Sequence, residues 1–509
     1  MLFTSNFAEL LSRAGREYAD QTAIRFRGRN TSFAELSARA GAIAAQLRGA
    51  GVQPGDRCAI LLRDPADAAA AFFAALAVGA VGLNVNEMYR PRQLEYVLRH
   101  SGARTFVTSD DVLESQSRLP ESDATIVSVT GLPASAPPLE AVAVSPGDAA
   151  QITYTSASTG LPKGVLMSHA ALWAGVRIVA DYLALARTDR IASLLPFSFV
   201  YGFNQLTTAL FVGATLVVDR STLAAEIVET LRRERVTVLA GVPPLWQQLL
   251  GVKSFREEPL SALRIMTCAG GRLSPVAVRQ LRSAQPQARL FLMYGLTEVF
   301  RSTFLPAEEV DAHPDSMGRA IPESVVYVAR EDGTLADDEE IGELVHGGPT
   351  VGIGYLGDAD ATQRVFRDNP WLKPGEPGPQ RVVFSGDLVK RDAAGLLYYV
   401  ARRDRVIKTL GFRVSPDEIT DVINASGGVS DAAVVTEPDP IRGERIVACV
   451  VLRADQTLED VTRYCRLELP RHMQPARYVV IDAVPRNASG KHDIPALKAQ
   501  VVVADAPSS

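Results

Sequence analysis

The chain has 509 residues, too many for one ordinary core, and at about 150 residues per domain it divides into two to four units. Its 47% hydrophobic and 22% charged residues are ordinary for a globular protein, and a formal net charge of −5 gives no global attraction to nucleic acid or an anionic membrane. Four scattered cysteines (Cys58, Cys268, Cys449, Cys465), none at C-x-x-C spacing, argue against a zinc site or disulfide framework and fit a reducing compartment.

In chain order, Glu9 interrupts the apolar stretch a signal peptide needs, and the uncharged run Ala68 to Val85 is mostly alanine and glycine. The expectation is a soluble, cytoplasmic protein. Thr22 to Arg27 alternates like a strand, and Ser32-Phe33-Ala34-Glu35 opens a helix with a capping box. Arg57 to Leu62 reads as a strand, Pro65 to Val78 as a helix and Val81 to Val85 as a strand, an alternation that predicts a parallel sheet with covering helices. The same beat recurs at Thr105 to Val107, Ala149 to Tyr154, Thr215 to Val218, Thr237 to Ala240, Arg264 to Thr267 and Leu290 to Met293. After about residue 315 the texture changes to strands and turns, with Val325 to Val328, Gly342 to His346, and a loop from Asn369 to Gln380. A compact α+β unit follows Arg403. We expect an α/β protein with domains at 1–403 and 404–509.

Five stretches could carry chemistry. Tyr154-Thr155-Ser156-Ala157-Ser158-Thr159-Gly160-Leu161-Pro162-Lys163-Gly164 follows a strand and offers hydroxyls, accessible backbone N–H groups and a lysine, which is what a loop needs to wrap phosphates. Its spacing is not that of a P-loop, and most such clusters, taken alone, are solvated surface loops. Tyr294-Gly295-Leu296-Thr297-Glu298 stands at a strand's carboxyl end, where open α/β sheets bind ligands. Ser385-Gly386-Asp387 follows the strand Arg381 to Phe384, and its carboxylate can accept two ribose hydroxyls. The remaining two are Arg402-Arg403-Asp404-Arg405-Val406-Ile407-Lys408-Thr409-Leu410-Gly411-Phe412-Arg413-Val414 and Pro485-Arg486-Asn487-Ala488-Ser489-Gly490-Lys491. Taken singly, each is an ordinary turn or charged face.

Together, and in this order, they resemble the motifs of the adenylate-forming ligases: acyl-CoA synthetases, adenylation domains and luciferases. The likeness spans nearly the whole chain. Ala157 and Ala401 stand where that family has glycine, and Ser385 where it has threonine. The resemblance implies a large N-terminal domain of packed α/β sheets with a small β-barrel-like part, followed by a small mobile C-terminal domain. It implies that Thr155, Ser156, Ser158, Thr159, Gly160 and Lys163 guide phosphates, and that Gly270, Gly271 and Gly295 belong to the nucleotide site. Tyr294 would stack on adenine, Thr297 bond the α-phosphate, Glu298 hold Mg2+, and Asp387 and Arg402 hold the ribose. Lys491 would be the catalytic lysine, assisted by Glu298 and Thr155. Asp404 would be the hinge, and Lys408, Gly411 and Arg413 would serve the thiol-transfer step. Ala157 is expected to slow loop motion without abolishing function.

The acyl pocket implied by the resemblance is lined by Phe197, Phe199, Val200, Tyr201, Asn204, Gly241, Thr267, Ala269, Met293 and Arg301. Amino-acid-activating members carry an aspartate where this chain has Phe199-Val200-Tyr201, so an α-amino acid is disfavoured. Arg301 could pair with a polar or anionic substrate group or be a structural arginine. The expected activity is ATP- and Mg2+-dependent activation of a fatty, branched or aryl acid to acyl-AMP, then transfer to CoA or a carrier protein's phosphopantetheine. An amine acceptor, a carrier-only adenylating enzyme, a luciferase-type oxygenase and an inactive nucleotide-binding scaffold remain as alternatives. A carrier protein is a possible partner, nucleic acid and membrane are not expected, and the chain could be monomeric or homodimeric.

Overall fold

The computed structural model describes residues 5–89, 91–115, 124–133, 137–155, 162–409, 412–439, 443–487 and 491–503. Among these, the strands form four sheets, of nine, seven, five and five strands. The nine-stranded sheet has a parallel centre in which Thr22–Phe26, Thr215–Val218, Arg190–Ser193, Val238–Gly241, Ile265–Cys268 and Arg289–Tyr294 lie side by side. Every residue of Val238–Gly241 and Ile265–Cys268 is buried, as expected for central strands covered on both faces. The seven-stranded sheet is parallel through Thr125–Ser128, Thr105–Thr108, Arg57–Ile60, Val81–Asn84 and Ala149–Tyr154, and continues antiparallel through Gly164–Ser168 to the edge strand Gly354–Tyr355.

The helices follow from local signals. Ser32 caps Phe33–Gly49 with both halves of the capping box made: Glu35 N–H donates to Ser32 Oγ at 3.1 Å, and Ser32 N–H donates to Glu35 Oε2 at 2.7 Å. Asp64 caps Pro65–Ala77, whose small residues and two phenylalanines are almost all buried in the main core. Among the described residues, no helix is long and apolar enough to cross a membrane.

A five-stranded antiparallel sheet (Val325–Ala329, Gly342–Gly347, Arg381–Arg391, Phe366–Asp368 and Leu397–Arg402) completes the large N-terminal domain. The small C-terminal domain has its own sheet, built on the hairpin Val429–Asp439 and Gly443–Leu452, with apolar clusters on both faces. Ile419, Ile423, Val461 and Cys465 cover one face, and Val484, Leu497 and Val501 the other.

One element departs from expectation. Ser385-Gly386-Asp387 does not follow a strand but lies inside the eleven-residue strand Arg381–Arg391. Gly386 has φ +73°, and the partner strand shifts register between Glu343 and Val345, so the motif forms an irregularity within continuous pairing. Ser385 Oγ donates to the Leu344 carbonyl at 2.7 Å, and Gly386 N–H donates to Glu343 Oε1 at 2.8 Å. Those two bonds replace lost ladder bonds and let the strand continue.

Candidate active site

Parallel strands deliver their following residues to one edge of the sheet. The turns after Arg190–Ser193, Val238–Gly241, Ile265–Cys268 and Arg289–Tyr294 therefore converge, and they carry Phe197, Ala269, Gly270 and Glu298.

On the nucleotide side, Tyr294 ends its strand with its hydroxyl donating to Asp387 Oδ2. Asp387 and Arg402 are direct cross-strand partners, and Arg402 Nη1 lies 3.2 Å from Asp387 Oδ1. Burial raises the Tyr294 phenol well above its ordinary pKa, and the Asp387 charge adds to this, so Tyr294 acts as a neutral donor. Thr297 and Glu298 lie in a short turn of helix, Thr297–Val299. Glu298 Oε1 accepts from the Tyr355 hydroxyl at 2.6 Å, and among the described residues no cation forms an ion pair with Glu298. Mg2+ commonly takes one or two carboxylates and completes its shell with phosphates and water, so this half-buried, unpaired carboxylate fits the ion. Thr155 N–H donates to the Lys163 carbonyl at 2.9 Å, joining the two ends of the stretch expected to wrap phosphates. Lys163 Nζ stands 5.0 Å from the Tyr355 ring centroid and 3.8 Å from Asp358. Ser156, Ala157, Ser158, Thr159 and Gly160 lie outside the described residues, as does Gly411.

Lys491 arrives from the far end of the chain. Its N–H donates to Asn487 Oδ1 at 3.1 Å, and Asn487 N–H donates to the Lys491 carbonyl at 2.8 Å, which closes a tight loop. Asp431 anchors both flanks, 2.6 Å from Arg486 and 3.1 Å from His492. Lys491 keeps solvent contact, yet the surrounding protein lowers its pKa by desolvation. Asp387 and Glu298 oppose that shift, while Arg402 and Arg405 reinforce it. All four act on the Lys491 charge. The domains also meet at an ion pair between Arg272, just after Gly270-Gly271, and Asp421. Burial pushes the Asp421 carboxyl up to about 6, with Arg272 pulling it down and Asp417 pushing it up. Asp404 lies in the helical turn Arg403–Arg405, and Lys408 pairs opposite Arg413 in a short hairpin.

The acyl side is organised around the helix Val200–Val212. Tyr201 donates to the Thr267 carbonyl at 3.0 Å and lies 2.6 Å from Thr267 Oγ1. The Arg301 guanidinium stands over the Tyr201 ring, 5.0 Å from its centroid. Phe197, Ala269 and Met293 share one apolar cluster, with Val200 and Tyr201 packed against it. Phe199 is the N-terminal cap residue of the helix, and Asn204 lies one turn after Tyr201. Gly241 abuts the Trp246 ring, where a Cβ would approach to 2.7 Å, so its lack of a side chain serves packing.

Several site residues escaped sequence reasoning. Glu343 bridges Gly386 N–H and Arg403, the latter at 2.6 Å, and so ties the bulged strand to the interdomain connection. Tyr355 orients Glu298, and Tyr182 donates to Met293 Sδ at 3.0 Å beside the pocket. Each pair lies at least 43 residues apart, and no local pattern announces it.

The fold is a large α/β domain followed by a small α+β domain, with the candidate site where the two meet. Residues 11–356 match the family model described as AMP-binding enzyme and residues 418–491 match its C-terminal domain, so the chain belongs to the AMP-binding enzyme family. It is 28% identical to the L-proline–[L-prolyl-carrier protein] ligase of Pseudomonas fluorescens, over 95% of this chain and 97% of that one. It is also 28% identical to 4-coumarate–CoA ligase 3 of Arabidopsis thaliana, covering 91% of this chain and 85% of that protein. The crystal structure of ATP-bound MatB from Rhodopseudomonas palustris superposes with a TM-score of 0.87 at 26% identity, covering 97% of this chain and 99% of that one. Among larger synthases and synthetases that it also matches, the chain spans only 7% to 37% of their length.

Proposed function

We propose that the protein joins a carboxylic acid to the α-phosphorus of ATP, expelling pyrophosphate, and that the thiol of CoA or a carrier protein's phosphopantetheine then attacks the acyl carbon, forming a thioester and releasing AMP. The observation that carries this reading is the cluster in which the Tyr294 hydroxyl donates to Asp387 and Arg402 pairs with it, to whose charges Lys491 is coupled. The first step brings two anions together, so the site must neutralise charge and align the attacking oxygen. Lys491 would bridge the carboxylate and the α-phosphate. Asp387 and Arg402 would hold the ribose, Tyr294 the adenine, and Thr297 an α-phosphate oxygen. Glu298 would hold Mg2+, which neutralises phosphate charge, while Lys163 and the loop after Thr155 receive the outer phosphates. The helical turn containing Asp404 would then act as the hinge that withdraws Lys491 and admits the thiol past Lys408, Gly411 and Arg413.

Phe199-Val200-Tyr201 offers no carboxylate to an α-ammonium group, which supports a non-amino acid. A prolyl-carrier ligase and a coumarate–CoA ligase at equal identity support both acceptor classes. The test is acid-dependent ATP–pyrophosphate exchange, first for the wild type and then for Lys491→Ala. The variant is expected to lose about 100-fold or more in adenylation, the scale of removing one transition-state charge contact. It should retain thioesterification of a supplied acyl-adenylate; equal loss of both steps would remove Lys491 from this role.

A further inference from the structure

Arg301 is only 3% exposed, and among the described residues its Nε and Nη2 have no hydrogen-bond partner. Among the described residues, no Asp or Glu pairs with it. Its neighbours are the Tyr201 face and the Tyr182 hydroxyl. An arginine stays charged at any physiological pH, and a buried guanidinium without a counter-charge is costly to the fold. Nε and Nη2 form one edge of the guanidinium, the edge whose parallel N–H groups receive a carboxylate bidentately. Asn204 Nδ2 and both polar atoms of the Gln205 side chain are likewise buried without partners. Both residues are 4% exposed and lie three and four positions after Tyr201, on the same side of the helix as the ring over which Arg301 stands.

The backbone gives Arg301 little freedom. Phe300 has φ +61° and ψ −56°, and Arg301 N–H donates to the Val299 carbonyl at 2.5 Å, the strained form of a three-residue turn. The Phe300 ring is seated against Gly175, where a Cβ would lie 2.4 Å away. The Arg301 carbonyl accepts from Thr350 Oγ1 at 3.5 Å. Strain held by surrounding packing is the mark of a pre-set side chain.

Resting on the acid-activation reading above, we propose that the acyl pocket ends in an anion receptor made by Arg301 with Asn204 and Gln205, and that the substrate is a dicarboxylic acid. One carboxylate is activated; the second seats on the Nε–Nη2 edge of Arg301. The apolar walls at Phe197, Val200 and Met293 match the hydrocarbon or aryl spacer between them. The same unpaired cation repels an α-ammonium group.

The test uses the full-length protein in ATP–pyrophosphate exchange with linear and aromatic dicarboxylic acids of graded length. Their monomethyl esters, matched monocarboxylic acids and the amino acids serve as comparators. At least one free diacid is expected to exceed its half-ester by about 100-fold or more in kcat/KM, because esterification leaves the receptor's donors unpaired. Arg301→Met should collapse that ratio chiefly by raising KM for the diacid, and Arg301→Lys should restore part of it. Without substrate, Arg301→Met is expected to raise Tm, since it removes an unpaired buried charge, whereas a structural arginine would lower it. Equal use of diacid and half-ester, uniform loss across acids in Arg301→Met, or a lowered Tm overturns the diacid proposal and leaves acid activation standing. Exchange with no acid of any class overturns the acid-activation reading, and this proposal with it.

Discussion

Glu343 is the residue whose importance is least visible in the chain. Its carboxylate is 6% exposed and serves two masters, the Gly386 N–H and the Arg403 guanidinium. Removing a charge from such a pair costs more than the bond is worth when intact, because the partner stays desolvated. Glu343→Gln keeps an acceptor for Gly386 but loses the charge facing Arg403. We expect a loss of about 1–3 kcal/mol in urea unfolding, the range for hydrogen bonds to charged groups. A raised KM for ATP should accompany it, since Asp387 sits one residue beyond Gly386. Stability loss with unchanged KM would confine Glu343 to holding the sheet. Tyr355 is a second such residue: its hydroxyl fixes one oxygen of Glu298, a carboxylate with no ion-pair partner among the described residues.

Among the elements, the helix His169–Tyr182 backs the proposed acyl pocket, through Gly175 against Phe300 and Tyr182 against Met293. It is largely buried, and Gly175 is the point where Phe300 enters. Gly175→Ala would press a methyl group to 2.4 Å from the Phe300 ring, so the three-residue turn at Phe300 must shift, and Arg301 with it. Overpacking of this kind costs about 1–3 kcal/mol. The expected signature is a higher KM for the acid with KM for ATP unchanged, measured by exchange under saturating concentrations of the other substrate. An equal rise in both would place the disturbance in the fold as a whole. On the same helix, Ser168 supplies the cap by accepting from Ala171 N–H at 3.1 Å, a purely local signal.

At the scale of the whole molecule, the two domains meet through Arg272 and Asp421, and Lys491 depends on that meeting. The side chains are each about 30% exposed, so the pair contributes roughly 1 kcal/mol or less. Arg272→Ala is expected to slow adenylation a few-fold, in line with that energy, without slowing thioesterification from a supplied acyl-adenylate. The pH dependence follows from the raised carboxyl. An Asp421 with a pKa of about 6 in the docked arrangement and about 3.9 when hydrated binds protons more tightly docked. Docking is therefore favoured at low pH, weakens as pH rises from about 4 to 6, and is level above that. Fluorescence energy transfer between labels on the two domains should report this, and Asp421→Asn should flatten the profile. A profile unchanged in Asp421→Asn would assign the pH dependence to another group.

By itself the sequence determined the alternating α/β elements, the five motifs in order and the family. Those signals are local: a strand buried on both faces must be apolar throughout, a capping box spans four residues, and each motif is contiguous. Val81–Asn84, Thr215–Val218 and the capped helix at Ser32 accordingly fall where periodicity and caps predict them. Tertiary structure alone decided the rest. The Ser385-Gly386-Asp387 irregularity depends on a register shift in a neighbouring strand, and Glu343 lies 43 residues before its Gly386 partner. The strained turn at Phe300 exists because Gly175 leaves room for its ring, and the Arg272–Asp421 contact joins positions 149 residues apart. Arg301 is the sharpest case: its charge is written in the chain, but its lack of a counter-charge becomes visible only when folding buries it.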